Sequence, residues 1–261
     1  AAAINRVPRR MIAGAVQAEL DAAGAAGGAE VIISIPGGAE RARRTFNPLL
    51  GIEGGLSVLG TSGVVEPMSE QAIVDTIGVE LRQAFCACPQ GRLILTPGNY
   101  GADFLAANGL DALGVPVVQC SNFIGEALDM AAAEGFSAVL LVGHIGKLVK
   151  LAGGIMNTHS RSADCRTELF CAHAAAAGAS TALCRALLDA PTTDACIALL
   201  DTAGLRAAVL DSLTAAAQRH LERRAAGAYR VGVELFSNEY GPLGASPAAL
   251  ELIGQWRNDR Q

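Results

Sequence analysis

The chain has 261 residues and a mass of 26.7 kDa, which is enough for one large domain or two ordinary ones with a sizeable core. Its formal net charge of −5 argues against nonspecific binding to nucleic acid or to a membrane surface, because both need a basic face. Hydrophobic residues make up 51% and aromatic residues 4%, so we expect a core of Ala, Val, Leu and Ile, and no apolar run approaches the ~20 residues that span a bilayer.

The first 55 residues are predicted to form a small α+β portion. Apolar residues recur at helical spacing from position 8 to position 20. Residues 31–35 predict a short strand that ends at Pro36. The glycines between positions 51 and 55 indicate a junction.

Beyond the junction, predicted strands and helices alternate. The strands are short, β-branched and apolar on both faces, which is typical of a buried parallel sheet with helices on either side. We therefore predict an α/β fold with a mainly parallel sheet and flanking helices. The predicted strands are 56–60, 92–96, 115–120 and 138–142, and the predicted helices are 69–85, 103–108 and 123–134.

The last hundred residues are predicted to be mainly helical. Helices between positions 163 and 227 are interrupted at Gly178, Pro191 and Gly204. A strand at 229–236, a loop at 238–244 and a short helix with Trp256 follow. We predict a domain division into 1–50, a remnant of an α+β N-terminal domain, and 51–261, an α/β domain; packing of 229–261 against the first domain is left open.

The seven cysteines indicate a reducing environment. Their number is odd and their spacing irregular, and most stand beside apolar residues, so we expect buried, reduced thiols in a cytoplasmic protein. Cys86 and Cys88 are one residue apart and do not form a CxxC metal or redox motif. A metal site built from His144, His159, Asp164 and His173 lacks any known zinc spacing, and we expect no metal.

Three loops follow predicted strands, at positions 59–63, 97–101 and 120–123. Glycines let the backbone approach a ligand closely, and ligands bind outside the carboxyl ends of strands in open α/β sheets. If the strands are parallel, the three loops lie at one edge of the sheet and form a ligand site. Simple tight turns, and helix caps at Ser121 and Asn122, are the alternatives.

The stretch 140–161 carries the densest set of polar groups. A strand runs into Gly143-His-Ile-Gly-Lys147, then a short basic helix, then Asn157-Thr-His-Ser-Arg161. This is not a P-loop, because the glycines are three residues apart and no Ser or Thr follows the lysine. Lys147 and Lys150, the only lysines of the chain, are predicted to share a helix face. We predict a site for an anionic ligand, although the histidines could also be structural.

Several long motifs of the chain occur together in one known family. They are residues 4–12, 36–38, 45–52, 59–69, 97–101, 121–126 and 142–161. In this order they resemble the cobalt-precorrin-5B C(1)-methyltransferases, the CbiD family. The likeness runs from Ile4 to the region of Gly178 and is looser near Phe236.

The resemblance implies an S-adenosylmethionine-dependent methylation of C-1 of cobalt-precorrin-5B, on the anaerobic branch of cobalamin biosynthesis. It also implies a fold other than that of the usual tetrapyrrole methylases. Methyl transfer from a sulfonium to a ring carbon needs no protein nucleophile, whereas alignment of the two reactants can account for ~7–11 kcal/mol of the barrier. A small-molecule substrate is the expected partner, and a homodimer is left open.

Site roles follow from this resemblance and from the chemistry of the side chains. Residues predicted to bind the methyl donor are Gly60, Thr61, Ser62, Gly63, Gly98, Asn99, Gly101 and Asn122. Residues predicted to bind the carboxylates of the substrate are Arg9, Lys147, Lys150, Asn157 and Arg161. A base or orienting group is predicted among His144, His159 and Glu66.

One departure from the family pattern affects the expected activity. Family members carry a domain-sized N-terminal region with a Gly-Tyr-Thr-Thr-Gly-Thr-like motif, which this sequence lacks. We therefore expect the chain to be a fragment or one half of a split protein. A non-catalytic tetrapyrrole-binding fragment and a metal-dependent hydrolase are the rival hypotheses.

Overall fold

The structure is a computed structural model that describes residues 3–45, 48, 51–58, 70–98 and 100–259. The chain divides into two compact units, Ala1–Ile73 and Val74–Gln261. Their boundary falls inside the helix Glu70–Ala87. The predicted α/β class, with a mainly parallel sheet and flanking helices, is confirmed.

In its described residues the first unit contains α1 (Arg6–Ala22), α2 (Gly38–Ala42) and the first turn of the helix that starts at Glu70. The helix predicted at 8–20 is therefore confirmed, with two more residues at each end. A parallel bridge joins Ile4 to Val58, where Val58 N–H donates to the carbonyl oxygen of Ala3 at 2.8 Å. Of the strand predicted at 56–60, this bridge is the observed part, since residues 59 and 60 lie outside the described residues.

The strand predicted at 31–35 is wrong. These residues have no regular secondary structure, and the side chain of Ile32 is 82% exposed. A strand gains its stability from ladder hydrogen bonds and cross-strand packing. Among the described residues no strand pairs with this segment, so its composition alone does not make it a strand.

A five-stranded sheet forms the centre of the second unit. The strands are β1 (Arg92–Thr96), β2 (Val117–Gln119), β3 (Ala138–His144), β4 (Arg230–Ser237) and β5 (Gly241–Ala245). Their order is β2-β1-β3-β4-β5, and the first four are parallel to one another. The predicted strands at 92–96, 115–120, 138–142 and 229–236 are confirmed within three residues at each end.

The loop predicted at 238–244 is confirmed only for the turn at 238–240, because residues 241–244 belong to β5, which pairs in antiparallel orientation with β4. The segment contains Pro242 and two glycines, a composition that weakens a strand prediction. Proline is tolerated in an edge strand, where one side of the backbone has no ladder partner. Gly241 has φ +66°, a left-handed conformation that suits glycine in the turn between the two strands.

Helices cover both faces of the sheet. They are α3 (Glu70–Ala87), α4 (Tyr100–Ala107), α5 (Ile124–Glu134), α6 (Ile145–Leu148), α7 (Arg166–Ala176), α8 (Thr181–Leu188), α9 (Thr193–Thr202), α10 (Arg206–Ala225) and α11 (Pro247–Asn258). A 3₁₀ turn, Val149–Gly153, directly follows α6. The predicted breaks at Gly178, Pro191 and Gly204 all separate these helices.

The core is layered on the sheet. Alternate strand residues such as Ile94, Leu140 and Val142 pack with α4 and α11 in one apolar cluster. The rings of Phe104 and Phe236 are stacked in the same layer, with 4.2 Å between their centroids. Helix α10 packs against β4 on the opposite face and contacts α5.

All seven cysteines are free, but the expectation that most are buried is wrong. Cys88, Cys120 and Cys196 are buried, Cys86 is exposed and the other three are partly exposed. Apolar neighbours in the sequence predict burial poorly in a helix, because adjacent residues point to different sides. No described helix combines the length and the apolar character that crossing a membrane requires.

Candidate functional site

The strand order reverses between β1 and β3, and we call the space outside the carboxyl ends of these two strands the crevice. After β1 the chain turns through α4 to β2, whereas after β3 it turns the other way, through α6 to α10, to β4. The two neighbouring strands thus send their connections in opposite directions. Open α/β sheets bind ligands at such a point, outside the carboxyl ends of the strands.

Lys147 crosses this crevice. Its ammonium donates a hydrogen bond to the carbonyl oxygen of Pro97, the first residue after β1. A Cβ atom placed on Gly98 would lie 3.6 Å from the same ammonium nitrogen. Gly143 permits this approach, because a Cβ there would come within 2.8 Å of the Pro97 ring. Pro97 and Gly98, which follow β1, therefore lie beside Lys147, which follows β3.

The ammonium of Lys147 lies beside the end of a third strand. Burial lowers its pKa from the ordinary lysine value, whereas a negative charge on the nearby Cys120, just after β2, would raise it. Cys120 is fully buried, and burial raises the pKa of its thiol to about 12. Cys120 therefore stays a neutral thiol at neutral pH, and Lys147 is the basic group of this part of the crevice.

His144 ends β3 and caps α6. Its Nδ1 accepts a hydrogen bond from the backbone N–H of Gly146 at 3.0 Å. The imidazole ring lies 6.3 Å from the ring of Tyr100 and 5.7 Å, edge to face, from that of Phe236. Burial lowers the pKa of His144, although the carboxylate of Asp194 opposes the shift.

Asp194 reaches the same edge from α9. Its Oδ1 accepts a hydrogen bond of 2.7 Å from the hydroxyl of Ser237, the last residue of β4. The Ser237 hydroxyl oxygen in turn accepts from the backbone N–H of Glu239 at 3.0 Å. An acidic side chain is thereby fixed near the imidazole of His144.

The loop after α6 lies along the start of α5. Thr158 N–H donates to the carbonyl oxygen of Asn122 at 2.9 Å, and the Thr158 hydroxyl donates to Asn122 Oδ1 at 3.2 Å. Asn157 Oδ1 accepts from the backbone of His159, whose own Nδ1 accepts from the backbone of Arg161 at 3.1 Å. Local hydrogen bonds therefore order this loop and leave the Arg161 side chain exposed.

Lys150 differs from Lys147 in its surroundings. It is 2% exposed, and its ammonium donates to the carbonyl oxygens of Thr158 at 3.1 Å and Ala163 at 2.7 Å. Lys147 lies on α6 and Lys150 in the 3₁₀ turn that follows it, and their ammonium groups donate to different carbonyls. The substrate contact predicted for Lys150 is untested, but these bonds give it a structural role in holding the loop.

The sequence matches one protein family at both ends. Residues 1–67 match the family described as CbiD, and residues 157–247 match the one described as CbiD, C-terminal domain. A protein named cobalt-precorrin-5B C(1)-methyltransferase from Moorella thermoacetica is 41% identical over 99% of this chain and 69% of its own length. The chain belongs to the CbiD family.

Relatives with the same name support this assignment. The protein from Ruminiclostridium cellulolyticum is 45% identical over 91% of the chain, and that from Alkaliphilus metalliredigens is 39% identical over 96%. The CbiD-family chain spans 61% and 65% of the length of these two relatives. No solved structure matches it.

Several predicted site residues of the CbiD-family chain lie outside the described residues. They are Gly60, Thr61, Ser62, Gly63, Glu66 and Asn99. Arg9 lies on α1 in the first unit, where its Nε donates to the carbonyl oxygen of Ile4 at 2.9 Å. The roles of all seven residues stay predictions.

Gly101 has a packing role that its sequence motif does not reveal. A Cβ there would come within 2.6 Å of Thr96 Cβ, so glycine allows α4 to pack on the end of β1. The hydroxyl of Thr96 is buried and has no hydrogen-bond partner among the described residues. Gly101 therefore supports the crevice wall, whether or not it contacts a ligand.

Two members of this edge were missed from the sequence. Asp194 stands in the first turn of α9, and Ser237 is the last residue of β4. Neither has a neighbouring sequence motif that marks it as part of a site.

For the metal alternative, no group of three or more His, Cys, Asp or Glu side chains among the described residues is arranged to hold an ion.

Proposed function

We propose that this chain carries the methylation site of a cobalt-precorrin-5B C(1)-methyltransferase and that S-adenosylmethionine is its methyl donor. The observation that carries the proposal is the hydrogen bond from Lys147 to the Pro97 carbonyl oxygen, beside Gly98, at the point between β1 and β3 where the strand order reverses, in a chain of the CbiD family. The relatives bear the name of this activity. We also propose the predicted domain division and a cytoplasmic location.

The residues of the crevice fit the donor. S-adenosylmethionine has a carboxylate, a flat adenine ring and hydroxyl groups. Lys147 offers a charge-assisted donor for the carboxylate, and the Tyr100 ring, with 60% of that residue exposed, offers a stacking surface. Gly98 adds no side chain at the mouth, and the unpaired hydroxyl of Thr96 lies in the adjoining wall.

When bound, S-adenosylmethionine supplies an electrophilic methyl group on a sulfonium. The residues of this chain then bind the methyl donor and the corrin precursor and align them with each other. The acetate and propionate carboxylates of the corrin precursor suit the exposed guanidinium of Arg161 and the side chain of Asn157. Alignment of methyl group and ring carbon can contribute ~7–11 kcal/mol, and the protonated thiol of Cys120 takes no part as a nucleophile.

Calorimetry with S-adenosylhomocysteine and with the cobalt-corrin substrate tests the proposal. We expect both to bind, and we expect Lys147→Met to weaken S-adenosylhomocysteine binding about tenfold or more, because a bond to a charged group is lost. Arg185→Met on α8, outside the crevice, is the matched control. Binding of the corrin without any binding of S-adenosylhomocysteine would overturn the proposal in favour of a non-catalytic tetrapyrrole-binding role.

A further inference from the structure

We propose that His144 is a fixed hydrogen-bond donor, through Nε2–H, to a carboxylate of the bound ligand, and that it is not a general base. The identity of the ligand rests on the proposed function. The donor state of His144 rests on the geometry of this chain.

The first step is the tautomer of the ring. A backbone N–H can only donate, so the bond from Gly146 to Nδ1 at 3.0 Å requires a lone pair on Nδ1. A neutral imidazole then carries its proton on Nε2. To act as a base through Nδ1, the ring would have to give up the cap of α6.

The second step is the charge of the ring. Protonation of Nδ1 would place two donors against each other, and burial also disfavours the imidazolium. The carboxylate of Asp194, which accepts a hydrogen bond of 2.7 Å from the Ser237 hydroxyl, raises the pKa of His144, but burial outweighs it and the pKa is lowered. His144 therefore stays neutral and keeps Nε2–H near pH 7.

The third step is the direction of the donor. The ring is held edge-on to Phe236, with 5.7 Å between the ring centroids, and the ring of the exposed Tyr100 lies 6.3 Å away. Among the described residues no hydrogen bond to Nε2 occurs, whereas Nδ1 is engaged. Lys147 lies three residues after His144, in the helix that follows the same strand. A fixed N–H donor and a lysine this close together suit a carboxylate ligand.

Two ligands of the proposed site carry carboxylates, the methionine end of the donor and the side chains of the corrin. The variant His144→Asn separates ligand binding from folding. The asparagine Oδ1 can still accept the hydrogen bond from Gly146 N–H, whereas the N–H of the histidine Nε2 is lost. His144→Gln does the reverse and places an amide N–H near the Nε2 position. His220→Asn on α10 is the control.

We expect His144→Asn to melt near the wild-type temperature and to bind one ligand about tenfold to a hundredfold more weakly, as for a lost bond to a charged group. We expect His144→Gln to recover part of that loss. Calorimetry with S-adenosylhomocysteine, with its decarboxylated analogue and with the cobalt-corrin substrate identifies which carboxylate is bound. Loss for S-adenosylhomocysteine but not for its analogue assigns the donor carboxylate, and loss for the corrin alone assigns the substrate.

Nitrogen-15 NMR of the histidine rings reads the tautomer independently of activity. A proton on Nδ1, or unchanged affinity for every ligand in His144→Asn, would overturn the proposal. So would a His144→Gln variant with wild-type affinities, abolished turnover and a flattened pH profile, since that is the behaviour of a lost base. If the wild-type chain binds neither ligand, the proposed function fails, and the NMR result still decides whether His144 is a donor.

Discussion

The ammonium of Lys147, on α6, donates a hydrogen bond to the carbonyl oxygen of Pro97, at the carboxyl end of β1. This bond joins the two connections that leave the sheet in opposite directions. It depends on Gly143, since any side chain at that position would strike the Pro97 ring. The backbone of two neighbouring strands and one lysine thus define the crevice.

The two lysines are expected to differ in what they stabilise. Lys150→Met leaves the Thr158 and Ala163 carbonyls without their donor in a buried setting, so we expect a loss of about 1–3 kcal/mol in the free energy of unfolding. Lys147→Met, in a half-buried position, should cost less stability and more ligand affinity. Urea denaturation and calorimetry on the pair measure both quantities, and equal effects on stability would contradict the assignment.

Gly98 and Gly101 are expected to respond differently to alanine. Gly101→Ala forces a Cβ to within 2.6 Å of Thr96, so we expect about 1–3 kcal/mol of destabilisation from overpacking. In Gly98→Ala the nearest atom is Lys147 Nζ at 3.6 Å, an ordinary contact, so folding should stay near wild type. Thermal melting compares the two; the idea fails if Gly98→Ala is the less stable protein.

Close approach of β4 and α11 is expected to depend on Gly232. A Cβ there would lie 2.5 Å from backbone atoms of Ala249, so Gly232→Ala must displace the helix and should cost about 1–3 kcal/mol. A Cβ atom placed on Gly254, within α11, would meet no neighbouring atom within 4 Å. Gly254→Ala should therefore stabilise by about 0.5–1 kcal/mol, since alanine favours helix. Urea midpoints of the two variants should move in opposite directions.

Glu234 is expected to make stability fall as the pH rises. Burial raises the pKa of its carboxyl, and Oε2 has no hydrogen-bond partner among the described residues. The folded chain thus keeps a proton that the unfolded chain releases near pH ~4.3, so the folded state loses stability above that pH until its own pKa is passed. Glu80 shifts in the same direction for the same reason.

Glu234→Gln should remove this contribution. We expect the variant to gain stability over wild type at pH 7.5 and to gain little at pH ~4, where the wild-type carboxyl is already protonated. Urea denaturation at both pH values gives the comparison, with the exposed Glu19→Gln as control. An equal gain at both pH values would refute a role for ionisation.

The sequence-based predictions are accurate where a feature depends on neighbouring residues and fail where it depends on residues far away in the chain. The bounds of β1 were predicted correctly, because the short run Leu-Ile-Leu-Thr is bounded by Arg92 on one side and by Pro97 on the other. β3 was predicted two residues short, since Gly143 and His144 resemble a turn, yet they pair with Leu235 and Phe236. The segment 31–35 and β5 failed in opposite ways, because the presence of a pairing partner, and not composition, decides whether a chain becomes a strand.

The candidate site shows the same division. The 97–101 loop and Lys147 could be placed together from the sequence, because parallel strands bring their carboxyl ends to one edge. The different surroundings of Lys147 and Lys150 could not be predicted from the sequence, because they depend on which backbone carbonyls accept hydrogen bonds from each ammonium group. The tautomer of His144 likewise follows from one backbone N–H that is placed by α6.

The sequence by itself determined the family, the parallel α/β class, the helix breaks at glycine and proline, and the concentration of polar groups after β3. These depend on side-chain periodicity, backbone preference and motif order, all of which are local in the chain. Only the tertiary structure decided the order of the strands, the crevice between β1 and β3, and the convergence of Asp194 and Ser237 near His144. Those features arise when distant segments are packed together, and packing is set by the whole core.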